Sequence, residues 1–407
     1  MAERVRHTGG GPPRLRRGPQ RYQLDKRGVE LVAAGHPWIF RGNMSTAASA
    51  LADGQWLALY DGHNRIVGYG VYAAAGAIAI RVIGRGPERP RGPAFNARVD
   101  AALARRESVR AESGGFRAVH GESDGLPAVT ADVYGDVVVV QSYAAGVEAL
   151  ARLVARRVGA AVGARGIVLR GGHRRIRREA DAGAADPKRP RILRGTVGDE
   201  VPFREGGMTI VARPLSGQKG GGFLDLRGLR RWVAAQPLAG KRVLNLFAYT
   251  GTLGLAAEHA GAAHVTQVDR AADALELARR HHIRDAAKHE LVTADVFDWL
   301  PRASGDFDVV IVDPPSMTSR IEQVPGVLAT YRRVHKAAAA RVAPGGALVV
   351  CCCTSRVTRA QFEAVVANVP APEGGRWQLE ASLPAERDHP VGFAEADYLK
   401  IMILRRT

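Results

Sequence analysis

The chain has 407 residues, 46% of them hydrophobic, and a formal net charge of +18. That length exceeds one ordinary domain, and the apolar share supports packed cores rather than an unfolded chain. No apolar run reaches membrane-spanning length, no apolar stretch follows a basic start, and the 3 cysteines are consecutive. A membrane span, a secretory signal and a disulfide framework are therefore not expected, and a reducing cytoplasm is. The charge points to a polyanionic partner, most simply nucleic acid. A skewed base composition would explain the preference for Arg over Lys, but explains the excess of positive charge less well.

Residues 1–20, "MAERVRHTGGGPPRLRRGPQ", are rich in Arg, Gly and Pro with little to bury. They read as a disordered basic arm, either inert or RNA-facing. Residues 21–90 are β-rich: "WLALYD", "IVGYGVY" and "AIAIRVI" are strand-like runs split by turns such as "DGHN". A small barrel or sandwich follows, with His36-Pro37-Trp38 as a structural corner. Residues 91–212 mix helix and strand into a small α+β region. "NARVDAALARRESVRAE" has helical periodicity, and "AVTADVYGDVVVVQSY" reads as two strands about a Tyr-Gly-Asp turn. The arginine-dense stretch from Arg170 to Arg194 is a solvated loop or an RNA-facing one.

Residues 213–407 change rhythm. "RVLNLFA", "HVTQVD", "HELVTADV", "FDVVIVD" and "GALVVCC" are strands, alternating with helices at "TLGLAAEHAGA", "ADALELARRHHIRDAA" and "LATYRRVHKAAAARVA". Continuous apolar runs in βαβα order imply a doubly wound parallel sheet. His281 and His282 lie in the second helix pattern and read as solvated.

In such a sheet, ligands bind beyond the carboxyl ends of the strands. The first strand end carries Asn245, Phe247, Tyr249, Thr250 and Gly251. Asp269 closes the second, about 20 residues on, where an acid suits a ribose diol. Asp295 follows the third, placed to meet an adenine edge. Alone, Asp269 is as readily a helix N-cap. The dinucleotide pattern G-x-G-x-x-G is absent, so a nucleoside cofactor without phosphates fits best: S-adenosylmethionine (SAM). Asp313-Pro314-Pro315 ends the fourth strand, a carboxylate on a stiff turn that suits the substrate side of a methyltransferase site.

"VVCCCTSR" ends the fifth strand and holds Cys351, Cys352 and Cys353. Adjacent residues alternate faces and rarely satisfy disulfide geometry. A zinc site needs about four ligands from separated segments, so no metal is expected. Core packing and a nucleophilic thiol both remain open.

Six segments then resemble, in order, the bacterial large-subunit (23S) ribosomal RNA methyltransferases of the cytosine-carbon-5 class. They are "GHPWIFRGNM", "HGESDGLPAVTADVYGD", "GQKGGGFLDLRGLR", "NLFAYTG", "DPPSM" and "DHPVGFAEADYLK". The resemblance runs from about residue 22 to the end and implies a PUA-like RNA-binding domain, a central domain and a SAM-binding catalytic domain. It implies Cys353 as the nucleophile, with Phe362 nine residues on and Thr358 between, and leaves Cys351 and Cys352 to packing. It further implies that Asp313 holds the target base, that Pro314 and Pro315 direct it, and that Lys219, Phe223 and Arg227 line the cofactor pocket. Lys219 and Arg227 would meet the SAM carboxylate or an RNA phosphate. His389 contacts substrate or orders the C-terminal turn. The partner implied is ribosomal RNA or a ribosomal particle. Gly220, Leu226, Met317 and Ala128 depart from the family pattern and mark a divergent branch. Base-nitrogen methylation on the same scaffold, and a non-catalytic RNA-binding role in ribosome assembly, are the alternative readings.

Overall fold

The structure, a computed structural model, describes residues 18–44, 51–171, 189–218, 222–372 and 374–407. Most of the basic arm, residues 172–188 of the arginine-dense stretch, and Lys219 with Gly220 lie outside the described residues. The chain forms two compact units. The first runs to Arg91 and takes in Ala144–Val147; the second holds the rest.

In the first unit, Gln20–Gln23, Trp38–Phe40, Trp56–Tyr60, Ile66–Tyr72 and Ile78–Arg85 make one five-stranded sheet. Alternation buries Leu57, Leu59, Ile39 and Ile80 completely. The helix Lys26–Ala33, which the strand-like patterning obscures, starts where Asp25 Oδ1 accepts from the Gly28 N–H at 2.6 Å. His36 closes the expected corner through Nδ1, which accepts from the Trp38 N–H at 3.1 Å.

In the second unit, residues 115–194 contribute a second five-stranded sheet, and its hairpin Val129–Tyr134/Val137–Ser142 turns at Gly135, as the sequence reads. The large sheet has seven strands: β1 (Arg242–Leu246), β2 (His264–Asp269), β3 (His289–Thr293), β4 (Phe307–Val312), β5 (Val342–Cys352), β6 (Trp377–Leu383) and β7 (Lys400–Arg406). Their order is β3-β2-β1-β4-β5-β7-β6. The first five are parallel, as their apolar runs require. β7 pairs antiparallel to both β5 and β6, an edge that the βαβ rhythm did not announce. Six helices accompany the sheet: α1 (Arg227–Ala234), α2 (Thr252–His259), α3 (Ala272–His281), α4 (Val296–Trp299), α5 (Val324–Ala339) and α6 (Arg359–Ala367).

Strand alternation explains two of the cysteines. Cys351 packs with Val349, Ile401 and Ile403 on one face of β5, and Cys352 with Val350, Met402 and Phe362 on the other. Burial pushes both thiols up, so both stay protonated and behave as small apolar groups.

The solvated reading of His282 is overturned. α3 ends one residue earlier, and His282 is wholly buried. Its Nε2 accepts from the Val211 N–H at 2.9 Å and its Nδ1 donates to the Thr250 carbonyl. Two interior backbone groups need partners, and the imidazole supplies both. Burial lowers its pKa to about 4. His335 of α5 is also buried, with neither ring nitrogen hydrogen-bonded, and burial lowers it to about 3.

A buried ionic cluster joins three distant segments. The Asp388 carboxylate accepts from Arg227 Nη2 at 2.8 Å, from the Arg117 backbone N–H at 2.8 Å and from His389 Nδ1 at 2.9 Å. The Asp388 carbonyl accepts from Arg106 Nη2 at 3.1 Å, and Arg106 grips Asp124 with both terminal nitrogens at 2.8 and 2.7 Å. Burial alone would raise the Asp388 pKa. Hydrogen bonds and charge from His389 and Arg227 outweigh it and hold the carboxyl far below its ordinary range.

Two stability results are expected. Asp388→Asn removes the charge that Arg227 and His389 share in the interior, and should cost about 3–5 kcal/mol by urea denaturation. His282 and His335 take up protons on unfolding below their ordinary pKa near 6.5, so their contribution is complete above that value. It falls as pH drops toward 4 and 3, by about 2 kcal/mol each at about pH 5. His335→Leu should flatten this acid slope by one histidine's share.

Candidate active site

β1 and β4 are neighbours in the sheet, although β2 and β3 intervene in sequence, so strand order reverses between them. The carboxyl ends of β1, β2, β4 and β5 thus converge on one crevice. Residues 245–251, Asp269, Asp295, Asp313–Pro315 and Cys353 all lie along this edge.

After Leu246 the backbone passes through left-handed conformations at Phe247 (φ 61°), Tyr249 (φ 48°) and Gly251 (φ 72°). Such geometry costs on the order of 1–2 kcal/mol at a non-glycine residue and persists only where its surroundings enforce it. Here Asp269 Oδ2 accepts from the Tyr249 N–H at 2.8 Å, and the Ala248 N–H donates to the Val268 carbonyl at 3.0 Å. The Tyr249 hydroxyl accepts from the Gln218 N–H at 3.1 Å. The Tyr249 ring meets Phe223 edge-on, with centroids 5.1 Å apart, and Phe223 is itself left-handed at φ 35°. The segment before α1 and the turn after β1 therefore brace each other.

This edge suits a nucleoside without phosphates. Asp269 uses Oδ2 on Tyr249 and Oδ1 on the Ala271 N–H at 2.8 Å, and a carboxylate oxygen keeps a second lone pair for a hydroxyl. Asp295 is the N-cap of α4, accepting from the Phe297 N–H at 2.8 Å, and its side chain faces solvent. Phe247 and Phe297, the latter two residues on from Asp295, meet edge-on with ring centroids 5.6 Å apart. Asn245 sits deeper, buried, with Nδ2 donating to Gln267 Oε1 at 3.2 Å, so it supports the turn from below. Thr250 is buried and gives its carbonyl to His282.

On the opposite side of the crevice, Cys353 lies one residue beyond β5 and is partly exposed, unlike its two neighbours. Its thiol donates to the Pro314 carbonyl at 3.5 Å, which sets it against the Asp313-Pro314-Pro315 turn. Thr354 holds the two loops together. Its Oγ1 accepts from the Met317 N–H at 3.2 Å and lies 3.2 Å from the Tyr331 hydroxyl. The buried Lys400 ammonium donates to the carbonyls of Val357 at 2.7 Å, Tyr398 at 3.2 Å and Thr354 at 3.5 Å.

Arg227 departs from expectation. It is 3% exposed and pairs with Asp388, Glu386 and Glu205, so it has no open face for a cofactor carboxylate or an RNA phosphate. His389 is buried against Asp388, where it orders the C-terminal turn. The structure also gathers groups that sequence reasoning left aside. The Tyr398 hydroxyl donates to Asp225 Oδ2 at 2.7 Å, and the His120 ring lies 6.3 Å from Tyr398 and 5.1 Å from His389. Burial, then Arg117, lowers the His120 pKa to about 2, so it is neutral. Asp225, Tyr398 and His120, which sequence reasoning did not name, belong to the quoted segments, so their signal was present, but not their meeting with His389.

Comparison with known proteins identifies the domains and the family. Residues 199–370 match the S-adenosylmethionine-dependent methyltransferase family, and residues 23–85 match a PUA-like domain. A "Ribosomal RNA large subunit methyltransferase" of Deinococcus radiodurans is 34% identical over 407 residues, covering 97% of this chain and 98% of the relative. A "Ribosomal RNA large subunit methyltransferase I" of Shewanella amazonensis is 30% identical, covering 91% and 95%. Among solved structures, a SAM-dependent methyltransferase from Streptococcus mutans shares the fold at a TM-score of 0.78 and 20% identity, covering 95% of this chain and all of its own.

A glycine near the start of α2, just after the turn, gives a direct test. A Cβ on Gly254 would stand 2.3 Å from Gln267 Oε1, and Gln267 is buried and hydrogen-bonded to Asn245. Gly254→Ala should displace the turn, cost about 1–3 kcal/mol and weaken SAM binding by about ten-fold or more in calorimetric titration.

Proposed function

The chain belongs to the ribosomal RNA large subunit methyltransferase family and is a SAM-dependent methyltransferase of ribosomal RNA, and from that premise we propose that it methylates carbon-5 of a cytosine through the Cys353 thiolate. One observation carries the proposal: a partly exposed thiol stands 3.5 Å from the Pro314 carbonyl, beside Asp313, at the edge that holds the cofactor turn.

Carbon-5 of cytosine is a weak nucleophile. Addition of the Cys353 thiolate to carbon-6 makes an enamine-like adduct and places electron density on carbon-5. SAM, when bound, supplies an electrophilic methyl group. Asp313, in its protonated form, would donate to N3 as negative charge develops there, and Pro314 and Pro315 hold that carboxyl group in one direction. Asp269 and Asp295 would hold the ribose and the adenine, Gly251 lets the turn approach closely, and Phe223 with Tyr249 would close the pocket. Lys219, in the same segment, would meet the methionyl carboxylate. The target base has to leave its stack to reach the thiol, which favours a loop or locally opened RNA. The PUA-like domain and the +18 charge supply a surface for the phosphate backbone.

Base-nitrogen methylation is the second reading. Such an enzyme would position the base by the Asp-Pro-Pro turn alone, and Cys353 would be dispensable. Met317, where an aromatic would stack on that base, counts against it.

Ribosomal RNA carrying tritium on cytosine carbon-5 separates the two. The wild type should release the label as it transfers methyl groups. Cys353→Ala should lose both activities by about 1,000-fold or more, while Cys351→Ala and Cys352→Ala keep them. Methyl transfer without release would reject the thiol mechanism. No transfer to naked RNA or to ribosomal particles would reject catalysis itself.

A further inference from the structure

Carbon-5 methylation through a thiol adduct needs a base after the methyl group has arrived. The hydrogen on carbon-5 has to leave as a proton before the thiol can be expelled. We propose that Asp225, held by the Tyr398 hydroxyl, is that base; the inference rests on the Cys353 reading.

Position is the first argument. Cys352 pairs with Lys400 across the antiparallel β5/β7 ladder, so the residues just before Lys400 run alongside those just after Cys352. Tyr398 and Thr354 are consequently close enough for one ammonium, that of Lys400, to donate to both carbonyls, at 3.2 and 3.5 Å. The Tyr398 hydroxyl reaches back to Asp225 Oδ2 at 2.7 Å. Asp225 also stands two residues from Phe223, whose ring touches Tyr249 of the cofactor turn. These contacts tie the segment of Asp225 to the turn after β1 through Phe223, and to the loop bearing Cys353 through Tyr398. Those two elements border the region a base acting on carbon-5 has to occupy.

Chemical setting is the second. Asp225 is partly exposed, whereas Asp388, Asp124 and Asp132 are buried and bound to arginines, and Asp313 is taken up with N3 of the base in the proposed mechanism. His120 and His389 flank Tyr398 and are equally unsuited: His120 is held neutral and faces Arg117, and His389 is engaged with Asp388. Tyr398 fixes one oxygen of Asp225 by donation, which orients the carboxylate without neutralising it.

The step balances. The C5–H bond breaks and its proton goes to the Asp225 carboxylate. Its electron pair forms the C5=C6 double bond, and the C6–S bond breaks to return the Cys353 thiolate. Asp225 then gives the proton to water.

The test uses the full-length enzyme with RNA and SAM, comparing wild type, Asp225→Asn, Tyr398→Phe, Cys353→Ala and the Asp225→Asn/Cys353→Ala double variant. Asparagine still accepts from Tyr398, so folding should survive, which circular dichroism checks. Asp225→Asn should bind SAM as the wild type does, add one methyl group per enzyme, and stall. A covalent enzyme–RNA complex should accumulate on denaturing gels, only with SAM present and not in the double variant. Tritium release should slow by about 100-fold or more. Tyr398→Phe should slow release by a smaller factor at unchanged SAM affinity. Wild-type release rates in Asp225→Asn would overturn the proposal. So would loss of SAM binding, or loss of methyl transfer with no complex, since either would put Asp225 before the proton step. Full activity of Cys353→Ala would instead overturn the thiol reading and this inference with it.

Discussion

Asp388 is a carboxylate in the interior that answers to three parts of the chain at once. Arg227 comes from the helix next to the cofactor turn, the Arg117 backbone from the central region, and His389 from the C-terminal segment. A buried charge is tolerated only when paired and fully hydrogen-bonded, so these partners cannot drift independently. Residues separated by more than 150 positions are thereby locked into one arrangement. Asp225, two residues before Arg227, and Tyr398, ten residues after Asp388, both lie on segments fastened at this point. Pairing of this kind adds little net stability over apolar packing, but it selects one geometry.

The crevice shows the other side of that rigidity. Three aromatic residues, Phe223, Phe247 and Tyr249, hold left-handed backbone that an isolated chain would leave. Asp269 holds the strain by accepting two backbone N–H groups, and the Phe223–Tyr249 contact shares it between two loops. A turn held this way is in place before any ligand arrives, which lowers the cost of ordering it later. Thr354 and Lys400 do the same for the loops after β4 and β5. They satisfy buried carbonyl, amide and hydroxyl groups that would otherwise be left unpaired where β5 gives way to loop.

The run of three cysteines divides by geometry. Strand alternation sends Cys351 and Cys352 into opposite cores, where burial keeps the thiols protonated. Cys353 follows the last paired residue, so it escapes both cores and reaches the Pro314 carbonyl. Three identical side chains thus have three different environments, two set by strand alternation and the third by where the ladder stops.

Sequence alone determined the parallel sheet, because strands buried on both faces have to be continuously apolar. It also determined the ligand edge, because polar and glycine residues interrupted those runs at Asn245–Gly251, Asp269, Asp295 and Asp313. Periodicity and strand ends are local, and local signals survive in a linear string. Tertiary structure decided the rest. Arg227 carried the charge of an anion contact, but three carboxylates from elsewhere in the chain buried it. His282 looked solvated on its helix, yet Val211 and Thr250, both outside that helix, claimed its two nitrogens. β7 had no βαβ signature because its partner β5 lies far upstream, and its pairing is what carries Tyr398 to Asp225. Each of these depends on which distant groups share a dry interior, and no spacing within a segment encodes that.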